Sequence, residues 1–251
     1  MRYAILSDVH GNLEALTAVL DHLAGQRIDR YLGLGDFVGY GADPEACLSR
    51  LQAMSLTAVC GNHEWACLGK LDARWFNDSA RRAILWTRDQ LGFSDLDYLR
   101  RLPLTTTDGP CTLVHGTLHH PDRFEYLVEM GQAVDAVKHC ETLYCLIGHT
   151  HIPVVFEYDL RQQRMTRLLV EPNDLAEARL QPDASRMRYV INPGSVGQPR
   201  DGDPRASCAV LDTQAGTCSI QRVPYDIATA QQKIVRADLP KFLADRLAVG
   251  R

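Results

Sequence analysis

No run in this sequence approaches the ~18 consecutive apolar residues of a membrane-crossing helix, so no membrane association is expected. Met1 leads straight into strand-like residues, without a basic n-region, a long apolar h-region or a small-residue cleavage site. The expected location is therefore the cytoplasm. The eight cysteines (47, 60, 67, 111, 140, 145, 208 and 218) include no C-x-x-C pair. In a 251-residue chain read as cytoplasmic, they are expected to be reduced, partly buried small hydrophobes rather than a disulfide framework. A large charge of one sign is missing too. The formal net charge of -4 leaves no basic stripe, so long nucleic acid is not an expected partner, although a local site could still take a single nucleotide. There is no G-x-x-x-x-G-K-[ST], hence no P-loop, and Val38 stands where the third glycine of a dinucleotide loop starting at Gly33 belongs. Repeats, low-complexity tracts and linkers are also lacking. With 45% hydrophobic and 23% charged residues, the chain reads as a single globular domain, 1–251.

What is present is a rhythm of strands and helices. Tyr3 to Leu6 is a short apolar run, read as a buried strand. Leu13, Leu16, Val19, Leu20 and Leu23 then recur at helical spacing until Gly25. Arg30 to Leu34 reads as a second strand, Pro44 to Met54 as a helix, and Leu56 to Cys60 as a third strand. This β-α-β-α-β order implies a parallel sheet with crossover helices. From Trp65 to about Leu102 the chain reads as a helical insert. Trp75, Phe76, Leu85, Trp86, Leu91, Phe93 and Leu99 are its apolar positions, expected mostly to pack it onto the body, with some available for a substrate wall. Further strands are expected at Cys111–Val114, Leu143–Ile147, Val154–Tyr158, Met165–Val170, Arg188–Ile191, Ala206–Leu211 and Cys218–Val223. The last five follow one another with few helices, which suggests an antiparallel or mixed region beside the parallel one. Asp226 to Ala248 reads as C-terminal helices. Exposed edge strands and the aromatic insert leave room for a homo-oligomer without requiring one.

Strand after strand ends in a group able to hold a metal. Asp8 and His10 follow the first and Asp36 the second, while Asn62 and His63 follow the third. His115 follows the run ending at Val114, and His149 and His151 the run ending at Ile147. Sites in open α/β sheets form in the crevice beyond the carboxyl ends of strands. Extended backbone sends residues i and i+2 to one side, so Asp8 with His10, and His149 with His151, are each expected to point together.

The ordered set LSDVHGN, GDFVGYG, GNHE, HG and GHTH resembles the calcineurin-like metallophosphoesterase superfamily, whose pattern is D-x-H, G-D-x-x, G-N-H-[ED], H and G-H-[TS]-H. The stretch NPGSVGQPRDGDPR, Asn192 to Arg205, resembles a loop of the small bacterial, phosphodiesterase-like members. The resemblance implies an α/β fold, a four-layer α/β/β/α sandwich carrying the helical insert. It also implies that Asp8, His10 and His151 hold one divalent ion and that Asn62, His115 and His149 hold a second. Asp36 would bridge the two ions, and His63 would face the substrate as general acid or phosphate donor. A ligand set of imidazole, carboxylate and amide without thiolate suits Mn²⁺ or Fe, with Zn²⁺, Ni²⁺ or Co²⁺ also accepted. Two such ions about 3.5–4 Å apart can clamp a phosphoryl group, hold a bridging hydroxide and offset charge in the transition state.

The implied activity is hydrolysis of small phosphodiesters or nucleotides. Phosphomonoesterase, nucleotide pyrophosphohydrolase and a non-catalytic scaffold of the same fold are the alternatives. Ser/Thr phosphatase relatives carry GDxVDRG, whereas here Gly39 replaces the aspartate that pairs with the acid histidine, and Tyr40 replaces the phosphate-gripping arginine. A monoester dianion benefits from that arginine more than a diester monoanion does, so the substitution leans toward diesters. Four further residues are candidates for substrate contact. Arg200 could replace the missing cation, or join Asp201, Asp203 and Arg205 in a salt-bridged turn. His119 and His120 could line the pocket or be plain loop histidines. Tyr40 could stack on a base or aryl group.

Overall fold

The structure is a computed structural model that describes residues 1–168 and 175–251. Its first half runs β1 (Arg2–Leu6), α1 (Leu13–Ala24), β2 (Arg30–Gly33), α2 (Pro44–Gln52) and β3 (Leu56–Ala58). Asn12 opens α1, its side chain accepting from the Ala15 amide at 3.1 Å, and Pro44 opens α2 at a position whose N–H has no helical partner anyway. A helical stretch follows, α3 (Asn62–Cys67), α4 (Asp78–Gln90) and α5 (Phe93–Arg101), then β4 (Thr105–Asp108), β5 (Cys111–Val114), α6 (Met130–Lys138) and β6 (Tyr144–Leu146). The remainder comprises β7 (Val154–Asp159), β8 (Arg164–Arg167), β9 (Leu175–Arg179), β10 (Met187–Asn192), β11 (Ala206–Asp212), β12 (Thr217–Val223), α7 (Ile227–Arg236) and α8 (Lys241–Asp245).

Alternation along the central strands builds four layers. In β1, Ala4 and Leu6 face Leu16, Val19 and Leu23 of α1, while Tyr3 and Ile5 face Tyr144, Leu146, Tyr189 and Ile191 of the other sheet. In β6 and β10 the intervening residues, Cys145 and Val190, pack on Ala133, Ala136 and Val137 of α6. A strand covered on both faces must be apolar on both, which is why these runs are continuous rather than alternating. The result is an α/β/β/α sandwich.

Both sheets are mixed, rather than one parallel and one antiparallel. The first has the order β3-β2-β1-β11-β12-β9, parallel from β3 to β1 and antiparallel beyond. The second has the order β4-β5-β6-β10-β7-β8, with β5, β6 and β10 parallel. Two strands, β4 and β9, are absent from the sequence reading. Thr105–Asp108 is an edge strand exposed on alternate residues, so it carries no apolar run to recognise. The strand expected over Met165–Val170 corresponds to β8, and Leu169 and Val170 lie outside the described residues.

In the insert, Leu91 and Leu99 are buried, and Phe76 and Trp86 are partly buried against the core. Trp75 and Phe93, in contrast to the packing expected of them, are 84% and 82% exposed. The C-terminal helices close over this side: Ala230, Ile234, Leu243 and Leu247 cluster with Tyr40, Ala80 and Ala83. All eight cysteines are free and buried. No helix among the described residues is long and apolar enough to cross a membrane.

Candidate metal centre

The chain turns sharply as it leaves the strands. Asp8, His10, Asp36, Tyr40, His149 and His151 all have φ between 49° and 66°, the left-handed region that costs an ordinary residue about 1 kcal/mol or more. The extended i, i+2 geometry expected for the Asp8/His10 and His149/His151 pairs therefore does not occur; successive left-handed turns bring the partners together instead. Neighbouring backbone over-determines these turns. Asp8 and His10 amides donate to Gly35 and Asp36 carbonyls at 3.0 and 2.9 Å, and the Val196 and Gly197 amides donate to Ser7 and Asp8 carbonyls at 3.0 Å. A Cβ on Gly197 would lie 1.9 Å from the Val9 carbonyl oxygen, so only glycine allows this approach.

The side chains meet as overlapping groups. Ligand atoms of Asp8, His10 and His151 lie within 4.8 Å of one another, as do those of Asp36, His115 and His149, and those of His10, Asp36 and His63. Asn62 Oδ1 adjoins the second group, 3.2 Å from His115 Nε2. Asp36 Oδ2 stands between the groups, 3.2 Å from His115 Nε2 and 3.7 Å from His10 Nε2.

The second nitrogens of the rings decide what these distances mean. His10, His115 and His151 each place Nδ1 against a carbonyl, of Val38 at 3.1 Å, Leu34 at 2.6 Å and Gln198 at 2.5 Å. A carbonyl only accepts, so Nδ1 carries a proton and Nε2 faces inward, as a lone pair wherever the ring is neutral. His10 Nε2 then faces His151 Nε2 at 3.1 Å, and His115 Nε2 faces His149 Nδ1 at 3.1 Å. The opposed lone pairs of His10 and His151 require a cation or a proton between them. Asp8 Oδ1 is likewise buried without a donor, while its Oδ2 accepts from Ser7 Oγ and the His149 amide. An orphaned carboxylate oxygen and opposed imidazole lone pairs are the donor set of a divalent cation. The charges agree: although burial opposes it, the Asp36 carboxylate raises His115 to about 9, so that a proton stands in for a cation. Burial, by contrast, pushes His149 down to about 3 and also lowers His10 and His151.

Glu64, quoted in the GNHE motif but given no role, is the residue that sequence reasoning missed. Fully buried, its carboxylate accepts from the amides of Asp36 at 2.8 Å, Gly61 at 2.6 Å, Phe37 at 2.8 Å and Val38 at 3.3 Å. It thus fixes the loop that presents Asp36. The acidic fourth position of the motif was its only signal. Next to it, the His63 amide donates to Asp36 Oδ1 at 2.9 Å. The His63 ring packs against Tyr40, His10 and Phe76 at centroid distances of 4.5, 4.7 and 5.3 Å, with Nδ1 buried and unpartnered. Gly39 explains the close fit: its φ is +86°, and a Cβ there would stand 2.2 Å from His63 Nδ1.

A cleft of about 260 Å³ opens over this cluster. Asp36, Asn62, His63, His149 and His151 line it, with Tyr40 and Arg200 beside them and Trp75, Phe76, Arg123, Phe124 and Tyr126 among the others. Arg200 is not part of a salt-bridged turn. Asp201 pairs with Arg222, Asp203 with Arg205 at 2.6 Å, and Arg200 donates instead to Gln198 Oε1 at 3.0 Å. Tyr40 is buried between the His10 and His63 rings, its face occupied rather than open for a base. His119 and His120 are exposed, pair with His139 and each other, and lie outside the cleft lining. The same loop reaches the cleft further along, through Arg123, Phe124 and Tyr126.

Residues 1–216 match the calcineurin-like phosphoesterase superfamily domain. A relative described as an uncharacterized protein of Methanocaldococcus jannaschii is 38% identical over 252 residues, 99% of this chain and 98% of the relative. Among solved structures, a metallophosphoesterase from Sphaerobacter thermophilus is 42% identical with a TM-score of 0.84, covering 100% of this chain and 99% of that one. A hypothetical protein from Pyrococcus horikoshii OT3 shares the fold, with 20% identity, a TM-score of 0.76 and coverage of 100% and 98%.

Proposed function

The chain belongs to the calcineurin-like phosphoesterase superfamily, and we propose that it is a dinuclear, divalent-metal-dependent phosphodiesterase acting on small phosphodiesters or nucleotides. The observation that carries this reading is the pair of imidazole–carboxylate groups meeting at Asp36, with the His10 and His151 lone pairs opposed and burial keeping most of the rings unprotonated. Asp8, His10 and His151 would hold one ion, and Asn62, His115 and His149 the other, with Asp36 shared. Mn²⁺ or Fe suits this set best, and Zn²⁺, Ni²⁺ or Co²⁺ are also compatible with it. Bound there, divalent ions supply Lewis-acid charge to phosphoryl oxygens and bring the pKa of water toward neutrality.

The chain's own residues do the rest. The carbonyls of Val38, Leu34 and Gln198 hold three imidazoles in one tautomer, so the ligand geometry is preset before substrate arrives. Glu64 and the His63 amide fix Asp36 from both sides. His63 lines the cleft, where its ring can donate to a phosphoryl or leaving oxygen. Burial pushes its imidazole down to about 4, and an adjacent phosphate anion acts in the opposite sense. With only Asp8 and Asp36 as carboxylate ligands, a filled site is net positive, as an anionic ester requires.

The diester reading draws on Tyr40 standing where relatives place a phosphate-gripping arginine. A monoester reading has one observation in its favour: Arg200 lines the cleft without a carboxylate partner among the described residues. Hydrolysis of bis(p-nitrophenyl) phosphate against p-nitrophenyl phosphate by Mn²⁺-loaded protein separates the two, with Asp8→Asn as the blank. Faster turnover of the diester is expected. Preference for the monoester would assign Arg200 the missing arginine's part, and turnover of neither would overturn the enzyme reading.

A further inference from the structure

The cleft holds one aromatic ring that the cluster does not use. Tyr126 stacks on His149 at 3.9 Å and 19°, Phe124 packs on Trp65 at 5.3 Å, and Phe76 meets His63 at 5.3 Å. Each of these rings is spoken for. Trp75 is not. It lines the same cleft from a short turn, Ala73–Trp75, 84% exposed, and among the described residues no ring or cation packs against it. Phe93 is about as exposed but lines no part of the cleft. Indole gains more from covering its faces than other side chains do, so one left open at the mouth of a polar site is a surface waiting for a flat partner. The second unmatched group is Arg200, whose Nε is buried without an acceptor and whose guanidinium lies 5.9 Å from the Tyr40 ring. One cleft thus combines a cation with no carboxylate partner among the described residues, an uncovered ring and a cluster suited to metal ions.

We propose that Trp75 determines specificity for the organic arm of the substrate, by stacking on an aromatic ring carried by that arm, directly or through a sugar, while the phosphate faces Arg200 and the Asp/His cluster. This rests on the phosphoester reading above. Every nucleobase and aryl group offers a π-face, whereas an alkyl or bare sugar arm does not, so the discrimination is by ring and not by hydrogen-bond pattern.

Calorimetric binding to the Mn²⁺-loaded protein tests this with two matched pairs, phenyl phosphate against methyl phosphate and adenosine 5′-monophosphate against ribose 5-phosphate. The aromatic member of a pair is expected to bind on the order of tenfold more tightly, the scale of one stacked ring. That ratio should fall to about one in Trp75→Ala and survive in Trp75→Phe, as a stacking contact requires. Arg200→Met should weaken all four ligands by a common factor and leave the ratios alone. The exposed position of Trp75 keeps the fold out of the comparison, and circular dichroism checks it. A ratio in the adenosine pair alone assigns a nucleobase arm, and a ratio in both pairs assigns any aryl arm. Ratios near one in the unmodified protein, or ratios that persist in Trp75→Ala, overturn the proposal while the phosphoester reading stands. No binding of any of the four overturns the proposal, while turnover of bis(p-nitrophenyl) phosphate decides the phosphoester reading separately.

Discussion

At the scale of single residues, the site depends on backbone conformations that ordinary residues avoid and on contacts that tolerate no extra atom. Gly39 shows both constraints. Its φ of +86° disfavours any side chain, and a Cβ would meet His63 Nδ1 at 2.2 Å. Any side chain at this position, an aspartate included, would displace the His63 ring from where it is held here. Gly39→Ala should therefore lower stability by about 1–2 kcal/mol and cut turnover at least about tenfold, the scale of a misplaced acid–base group. Bound metal should remain at the unmodified stoichiometry. Metal analysis alongside steady-state kinetics checks this, and undiminished turnover would show that the His63 ring position is not needed. The metal-type residues were legible in the sequence because each is a metal-capable residue set directly after an apolar strand run, beside a glycine. Their left-handed backbone was not, because Asp8 and His149 adopt it only under hydrogen bonds from segments far along the chain.

At the scale of elements, two devices set how loops and helices are tied. Glu64, on the first turns of α3, gathers four amides from two loops onto one carboxylate. An amide side chain has one accepting oxygen and would turn N–H groups toward N–H groups. Glu64→Gln is thus expected to cost about 2 kcal/mol or more, seen as a lower urea midpoint with an unchanged m-value. An unchanged midpoint would mean the loop is held by other contacts. Elsewhere, Lys233 ties α7 to the body, its Nζ 2.5 Å from Glu14 Oε1 and 2.9 Å from Asp43 Oδ2. Lys233→Met should lower stability by about 1 kcal/mol, a partly buried pair being worth little more, with faster hydrogen exchange confined to α7 and α8. Exchange that speeds up throughout the chain would contradict a local tie. Periodicity found α1, α2 and the central strands, whose apolar faces are dictated by burial on one or both sides. It missed β4, since an edge strand half open to solvent has no apolar run, and it could not tell that Trp75 and Phe93 would stay exposed.

At the scale of the whole molecule, the parallel halves of two sheets bring their strand ends to one place, and that place collects buried carboxylates and imidazoles with few protons to share. Such a site is costly when empty, so cation binding should stabilise the entire fold. Thermal unfolding with increasing Mn²⁺ is expected to show a rising Tm, equivalent to about 2.7 kcal/mol at a free concentration a hundredfold above Kd. Asp36→Asn, which removes the group shared by both sides, should largely abolish the rise. A Tm indifferent to Mn²⁺, Zn²⁺, Ni²⁺ and Co²⁺ alike would contradict cation binding at this centre.

The sequence alone determined the α/β character, the order of the elements through β3, and the residues that gather at the strand ends, because burial periodicity and metal-capable residues set after apolar runs are local signals. Tertiary structure alone decided how strands are shared between the sheets, since β10 and β11 follow one another in the chain yet lie in different sheets. It also decided which nitrogen carries a proton in His10, His115 and His151, which depends on carbonyls contributed from elsewhere, of Val38, Leu34 and Gln198 respectively. The partners of Arg200 and the openness of Trp75 belong to the same class. Each is set by which distant segments reach the cleft, and no local pattern of residues encodes that distance.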